Sequence, residues 1–288
     1  MRTIARSIMP LMAIALCLAA VSGCRRAVVT TTEVVAVSST NVPSKPDDPA
    51  WDEAPEHAAK LLLQDLVEPR QMQASTADVR VRAITNGAEI AFRLEWLDKT
   101  KDDLPGPAHF MDGCAVQIPA KIEANLPAPQ MGETGKNVEI AFWRADWQAM
   151  VDGRPDSIKE RYPNASVDHY PFEAQSLEKG SAAQTEMATR YSPAAAVGNR
   201  RVGPRSNPVE DLIAEGPGTL SPAASTTSNG RGMKTADGWS VIITRRVPAG
   251  LASGSRTQTA FAIWEGSHNE VGARKMRTGW IPLLMKGK

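Results

Sequence analysis

Cysteine is scarce in this chain: there are three among 288 residues, at Cys17, Cys24 and Cys114. Two of them fall in or at the end of an N-terminal targeting segment. Cys114 is then alone, and no disulfide can form within the mature chain. There is no C-x-x-C-H run, so covalent attachment of a tetrapyrrole through that motif is excluded. There is also no cysteine set for zinc or an iron–sulfur cluster. Charge of one sign is lacking too. With 33 Lys and Arg against 32 Asp and Glu, the net charge is +1, which argues against a nucleic-acid partner held by bulk charge. No G-x-S-x-G, H-E-x-x-H or phosphate loop is present, and the carboxylates Asp146, Asp168, Glu210 and Asp211 are not paired with a nucleophile. Only three Tyr and five Phe stand against 21 Gly and 21 Pro. Many turns follow, and an all-β domain fits them better than a helical one.

The N-terminus reads as an export signal rather than as fold. Arg2 and Arg6 precede an apolar run from Ile8 to Val21, which is short for a membrane span and is soon followed by Arg25-Arg26. The run ends in Val21-Ser22-Gly23-Cys24, which resembles a bacterial lipobox. Residues 1–23 are expected to be removed and Cys24 to carry lipid, leaving an exported protein anchored to a membrane and facing the periplasm or cell exterior. Arg25 after Cys24 leans towards the outer membrane. Residues 24–46, rich in Val, Thr and Ser, are read as a flexible tether, with the folded domain spanning 47–288.

Within that domain, Val79–Ile84 and Glu89–Trp96 alternate apolar and polar residues around an Asn86-Gly87 turn, the pattern of a hairpin. Further strands are expected at 115–119, 138–143, 238–246 and 259–264. Residues 152–235 read as a loop-rich excursion, because Gly, Pro, Ser and Asn interrupt any period. Glu210 to Ala214 reads as one helical turn opened by Asn207-Pro208.

Three phrases carry a resemblance that runs from about residue 48 to 282. They are the opening Asp48-Pro49-Ala50-Trp51-Asp52-Glu53-Ala54, the loop Pro127-Ala128-Pro129-Gln130-Met131-Gly132-Glu133, and the C-terminal stretch from Ala260-Phe261-Ala262-Ile263-Trp264 through Lys275 to Trp280. Together they resemble the haem-binding gamma subunits of ethylbenzene dehydrogenase-like molybdenum enzymes, of the dimethyl sulfoxide reductase family. The resemblance implies an immunoglobulin-like or carbohydrate-binding-module-like β-sandwich with a long insertion. It also implies a non-covalent haem b whose iron takes Met131 and Lys275 as axial ligands. The implied role is electron transfer between an iron–sulfur subunit and a cytochrome or other carrier, in complex with a molybdopterin catalytic subunit.

Taken as residues alone, Met131 is one of eleven Met and Lys275 one charge in a basic run. Four histidines compete as iron ligands, His57, His109, His169 and His268, with His268 the first rival because it stands just before Lys275. The alternative reading is a haem-free sugar-binding module similar to family 9 carbohydrate-binding modules, which needs two or more exposed tryptophans on one face.

Overall fold

A computed structural model describes residues 31–166, 178, 180–191, 197 and 205–287. The expected signal segment with Arg2, Arg6 and Cys17, the lipidation candidate Cys24, and Asp168 and His169 lie outside the described residues. The strands are β1 Val34–Ser38, β2 His57–Lys60, β3 Leu62–Leu63, β4 Asp78–Thr85, β5 Glu89–Leu97, β6 Gly113–Pro119 and β7 Val138–Arg144. They continue with β8 Val209–Ala214, β9 Ser221–Pro222, β10 Asn229–Lys234, β11 Gly238–Arg246, β12 Arg256–Trp264, β13 Met276–Arg277 and β14 Ile281–Met285. Among the described residues, the α-helices α1 Ala145–Val151, α2 Ile158–Arg161 and α3 Ala182–Tyr191 fall between β7 and β8.

The strands follow one another in the order β10-β11-β5-β4-β1-β14-β12-β6-β7-β8-β9. The ribbon divides into two sheets at β12. Its first half, Arg256–Thr259, pairs with β14. Its second half, Ala260–Trp264, pairs with β6. The two sheets pack face to face as a β-sandwich. Phe92 of β5 meets Phe261 of β12 edge-on with centroids 6.1 Å apart, and Trp96 of β5 meets Trp143 of β7 at 6.4 Å. Between the sheets, alternate residues of each strand are fully enclosed: Ile90, Phe92 and Leu94 on β5, Cys114, Val116 and Ile118 on β6, Val241 and Ile243 on β11. Each such large side chain contributes roughly 1.5–3 kcal/mol through its burial.

The first departure from the sequence reading is β1. The stretch read as tether holds a strand that pairs in parallel with β14 on one side and β4 on the other, with Val34 and Ala36 buried. The fold therefore starts before residue 47. Val34, Val35 and Val37 suit a strand, and the partners that bury them lie far along the chain. The second is Glu210 to Ala214, which forms β8 rather than a helical turn, pairing antiparallel with β7 from Val138↔Ala214 to Trp143↔Val209. The expected excursion 152–235 accordingly contains β8, β9 and β10.

Candidate functional site

The second sheet is apolar on both faces. Between the core residues of β6, β7, β8 and β12, the other alternation turns outward: Ala115, Ile140, Phe142, Leu212, Ala262 and Trp264. A sheet face built this way needs a cover. Here it forms the floor of a cavity of about 580 Å³, within the size range of sites for small molecules and cofactors. The floor is low where Ala115, Ala260 and Ala262 lie side by side, since β6 and β12 are in register there (Ala262↔Ala115). Loops form the walls.

The β6–β7 loop carries Met131. Pro127-Ala128-Pro129 is fixed from two sides: the Trp280 indole N–H donates to the Pro127 carbonyl at 2.7 Å, and the Gln117 amide donates to the Pro129 carbonyl at 3.0 Å. The N–H of Gly132 returns to the Ala128 carbonyl at 2.9 Å, closing a turn, and Gly216 N–H holds the Met131 carbonyl at 2.8 Å. Two successive residues in this turn are left-handed, Met131 at φ 68° and Gly132 at φ 85°. A long side chain in that region is uncommon and costs about 1 kcal/mol or more. Glycine is required next to it, because a Cβ on Gly132 would lie 2.8 Å from the Lys136 carbonyl oxygen and 3.0 Å from that of Ala214. The loop thus holds Met131 against local preference, as ligand-bearing loops often do.

Lys275 arrives from the other side, on the segment joining β12 to β13. Gln64, buried, grips this segment: its own N–H donates to the Lys275 carbonyl at 3.2 Å and its side-chain amide to the Ala273 carbonyl at 3.2 Å. Further back, fully buried Glu270 accepts from Gln71 at 2.7 Å, from the Ser75 hydroxyl, and from the Glu265 N–H at 2.9 Å. Burial pushes the Glu270 carboxyl up from its ordinary range.

Met131 and Lys275 meet in the cavity. The Lys275 Nζ lies 3.8 Å from the Met131 Sδ across 144 positions of sequence, and 5.0 Å from the centre of the Trp264 ring. Burial, and then the positive charge of Arg277, pull the Lys275 ammonium down to about 8 from its usual 10.5. The Trp264 face gives the cation some compensation. The arrangement offers one soft sulfur donor and one amine that gives up its proton readily, facing each other above an apolar floor.

The other candidates are placed elsewhere. His268 is exposed on the short turn Gly266–His268, with Nδ1 2.9 Å from the Glu265 carboxylate, and it does not line the cavity. His57 is buried on β2, bonded to the Thr31 carbonyl at 2.7 Å. His109 lines the cavity from the loop before β6. Asp146 is ion-paired with Arg144 at 2.9 Å, and Asp211 accepts from the N–H groups of Thr227 and Ser228 at 2.7 and 3.0 Å. Among the described residues, no group of three His, Cys, Asp or Glu side chains converges to hold a metal ion. Of the seven tryptophans, Trp51, Trp96, Trp143, Trp147 and Trp239 are buried, and Trp264 and Trp280 are half-buried against the outward face of the second sheet. Gln64, Glu270 and Arg277 went unsingled in the sequence. The one signal for them is proximity in the fold to the segment bearing Lys275.

Comparison with known proteins adds the lineage. The chain is 22% identical over 254 residues, 86% of its length and 70% of the relative's, to a Haloferax mediterranei protein provisionally named a respiratory nitrate reductase haem subunit. It is 20% identical over 238 residues, 79% of its length and 73% of the relative's, to the chlorate reductase subunit gamma of Ideonella dechloratans. A solved family 9 carbohydrate-binding module from Caldicellulosiruptor kristjanssonii, in complex with cellotriose, covers 88% of this chain and 94% of its own, at 8% identity and a TM-score of 0.41. That likeness is too distant to bear on the ligand. The family described as ethylbenzene dehydrogenase matches residues 48–276, and the chain belongs to it.

Proposed function

We propose that this chain holds a non-covalent haem b in the cavity over the second sheet, with Met131 and Lys275 as the axial iron ligands, and relays electrons within an oxidoreductase complex. One observation carries the reading. Two residues 144 positions apart bring a thioether and an amine to within 3.8 Å of each other inside an apolar cavity of about 580 Å³. The names of the two curated relatives, a haem subunit and a gamma subunit, support it.

The donor set fits such a group. A thioether is neutral and soft, and it raises haem potential. An amine binds iron only when deprotonated, and burial already disfavours the ammonium form of Lys275. Non-covalent binding fits as well, since Cys114 points into the sandwich core and not into the cavity. When bound, the haem would supply one-electron chemistry, with Met131 and Lys275 as the residues that would hold its iron. The protein's part is to hold the donors. Gln64 and β13 fix the Lys275 segment, the Trp280 and Gln117 bonds fix the Met131 loop, and the apolar floor excludes water.

The wider setting is part of the same proposal. A molybdopterin catalytic subunit, an iron–sulfur subunit and a cytochrome or similar carrier are the partners in this reading. Export and a lipid on Cys24 rest on the N-terminal sequence. Titration of the purified protein with haemin tests the cofactor: a Soret band saturating at one haem per chain is expected. A titration showing only free haemin, in a protein folded by circular dichroism, would sink the reading.

A further inference from the structure

Lys275 and Arg277 leave the chain on the same side, because Met276 between them turns into the core. Both line the cavity. Arg277 stands beside Ala262 in the register of β12 and β13, at the low part of the floor.

Its guanidinium is poorly provided for. Nε is buried without a hydrogen-bond partner, as it is in Arg82, Arg93 and Arg245, and Nη1 reaches the Thr278 carbonyl only at 3.4 Å; what sets Arg277 apart is its charge. Asp65 acts on it through its charge, but among the described residues Arg277 has no ion pair. The half-buried arginines elsewhere on the strands are treated differently. Arg82 pairs with Glu56 at 3.3 Å, Arg93 with Glu95 at 3.2 Å, Arg144 with Asp146 at 2.9 Å, and Arg245 with Glu139. A cation left on the wall of an apolar cavity costs free energy unless an anion arrives there. The fork of a guanidinium matches a carboxylate in shape as well as charge.

We propose that Arg277 is a binding residue for a carboxylate of the cavity's ligand, so that the site selects a flat apolar molecule bearing acid groups. This rests on the haem reading, in which the acid group is a propionate. The Arg277 contact would then help fix how the ligand lies in the cavity, and the acid form of the ligand would bind more tightly than an esterified one.

The test compares haemin with its dimethyl ester, titrated into the intact protein, Arg277→Gln and Arg277→Lys, with circular dichroism as a check of folding. The wild type is expected to prefer the diacid by about tenfold or more, the worth of one charge-assisted contact. Arg277→Gln should lose most of that preference while still binding the diester, and Arg277→Lys should keep part of it. Equal binding of diacid and diester by the wild type would overturn the proposal. So would a preference undiminished in Arg277→Gln, which would leave the haem reading standing. Binding of neither compound would overturn both.

Discussion

The Nζ of Lys275 lies 5.0 Å from the centre of the Trp264 ring and 3.8 Å from the Sδ of Met131, and its ammonium is pulled down to about 8. A buried lysine so placed weakens the folded protein while it carries its charge, and that effect on stability is testable.

In the unfolded chain Lys275 titrates near 10.4. Between about pH 8 and that value the unfolded state holds a proton that the folded state has released, so stability should rise with pH across this window. Below pH 8 the full cost of burying the charge is present. Lys275→Met should therefore stabilise the haem-free protein at pH 7 by on the order of 2 kcal/mol, several degrees in Tm. The gain should shrink to nothing by about pH 10.5, the usual lysine value. Thermal melts of both proteins at pH 7, 9 and 10.5 check this.

Gly132→Ala should cost about 2 kcal/mol or more. The substitution meets two carbonyl oxygens, at 2.8 and 3.0 Å, in a residue whose φ is 85°. Because Gly132 fixes the turn that presents Met131, the low-spin fraction of the haem-loaded protein should also fall. Urea denaturation and the absorption spectrum measure the two effects separately.

Asp112 is fully buried and accepts three N–H bonds, from Asp102 at 2.8 Å, Gly266 at 2.9 Å and the Trp239 indole at 3.0 Å. Asp112→Ala would strand three donors and should destabilise the protein by roughly 3 kcal/mol or more. Hydrogen exchange should show the loss concentrated at Asp102, Gly266 and the segment leading to Lys275.

Removal of residues 1–46 should abolish folding, although the sequence reads as a signal at 1–23 and a tether at 24–46. β1 lies between β4 and β14, and its loss would leave two sheet edges apart and the buried places of Val34 and Ala36 empty. A chain beginning at residue 31 should fold. Circular dichroism of the two truncations decides the point.

Strands with clean alternation and a nearby partner were legible in the sequence. Val79–Ile84 and Glu89–Trp96, joined by Asn86-Gly87, lie within the paired strands β4 and β5. β1 was not legible because its register partners come 47 residues later on β4 (Ala36↔Ala83) and farther still on β14 (Val34↔Leu283), so nothing local marks it as buried. β8 was hidden by chemistry: Glu210 and Asp211 look like surface or helix residues, yet Glu210 is 1% exposed. β10, with Gly230 and Gly232, has little strand propensity and is held by its pairing with β11. In the candidate site, only the flanking phrases single out Met131 and Lys275 in the sequence. Their proximity was not readable, because it depends on the floor that β12 and β6 build between them. The direction of Arg277 is likewise not readable from the sequence, since only the turn of Met276 into the core shows which way it faces.

The central claim is that Met131 and Lys275 together hold iron, and the absorption spectrum of the haem-loaded protein tests it most directly. The wild type, His268→Ala and His109→Ala should share one low-spin spectrum, while Met131→Ala and Lys275→Ala should each alter it. A spectrum unchanged in Lys275→Ala, or lost in His268→Ala, would contradict the account.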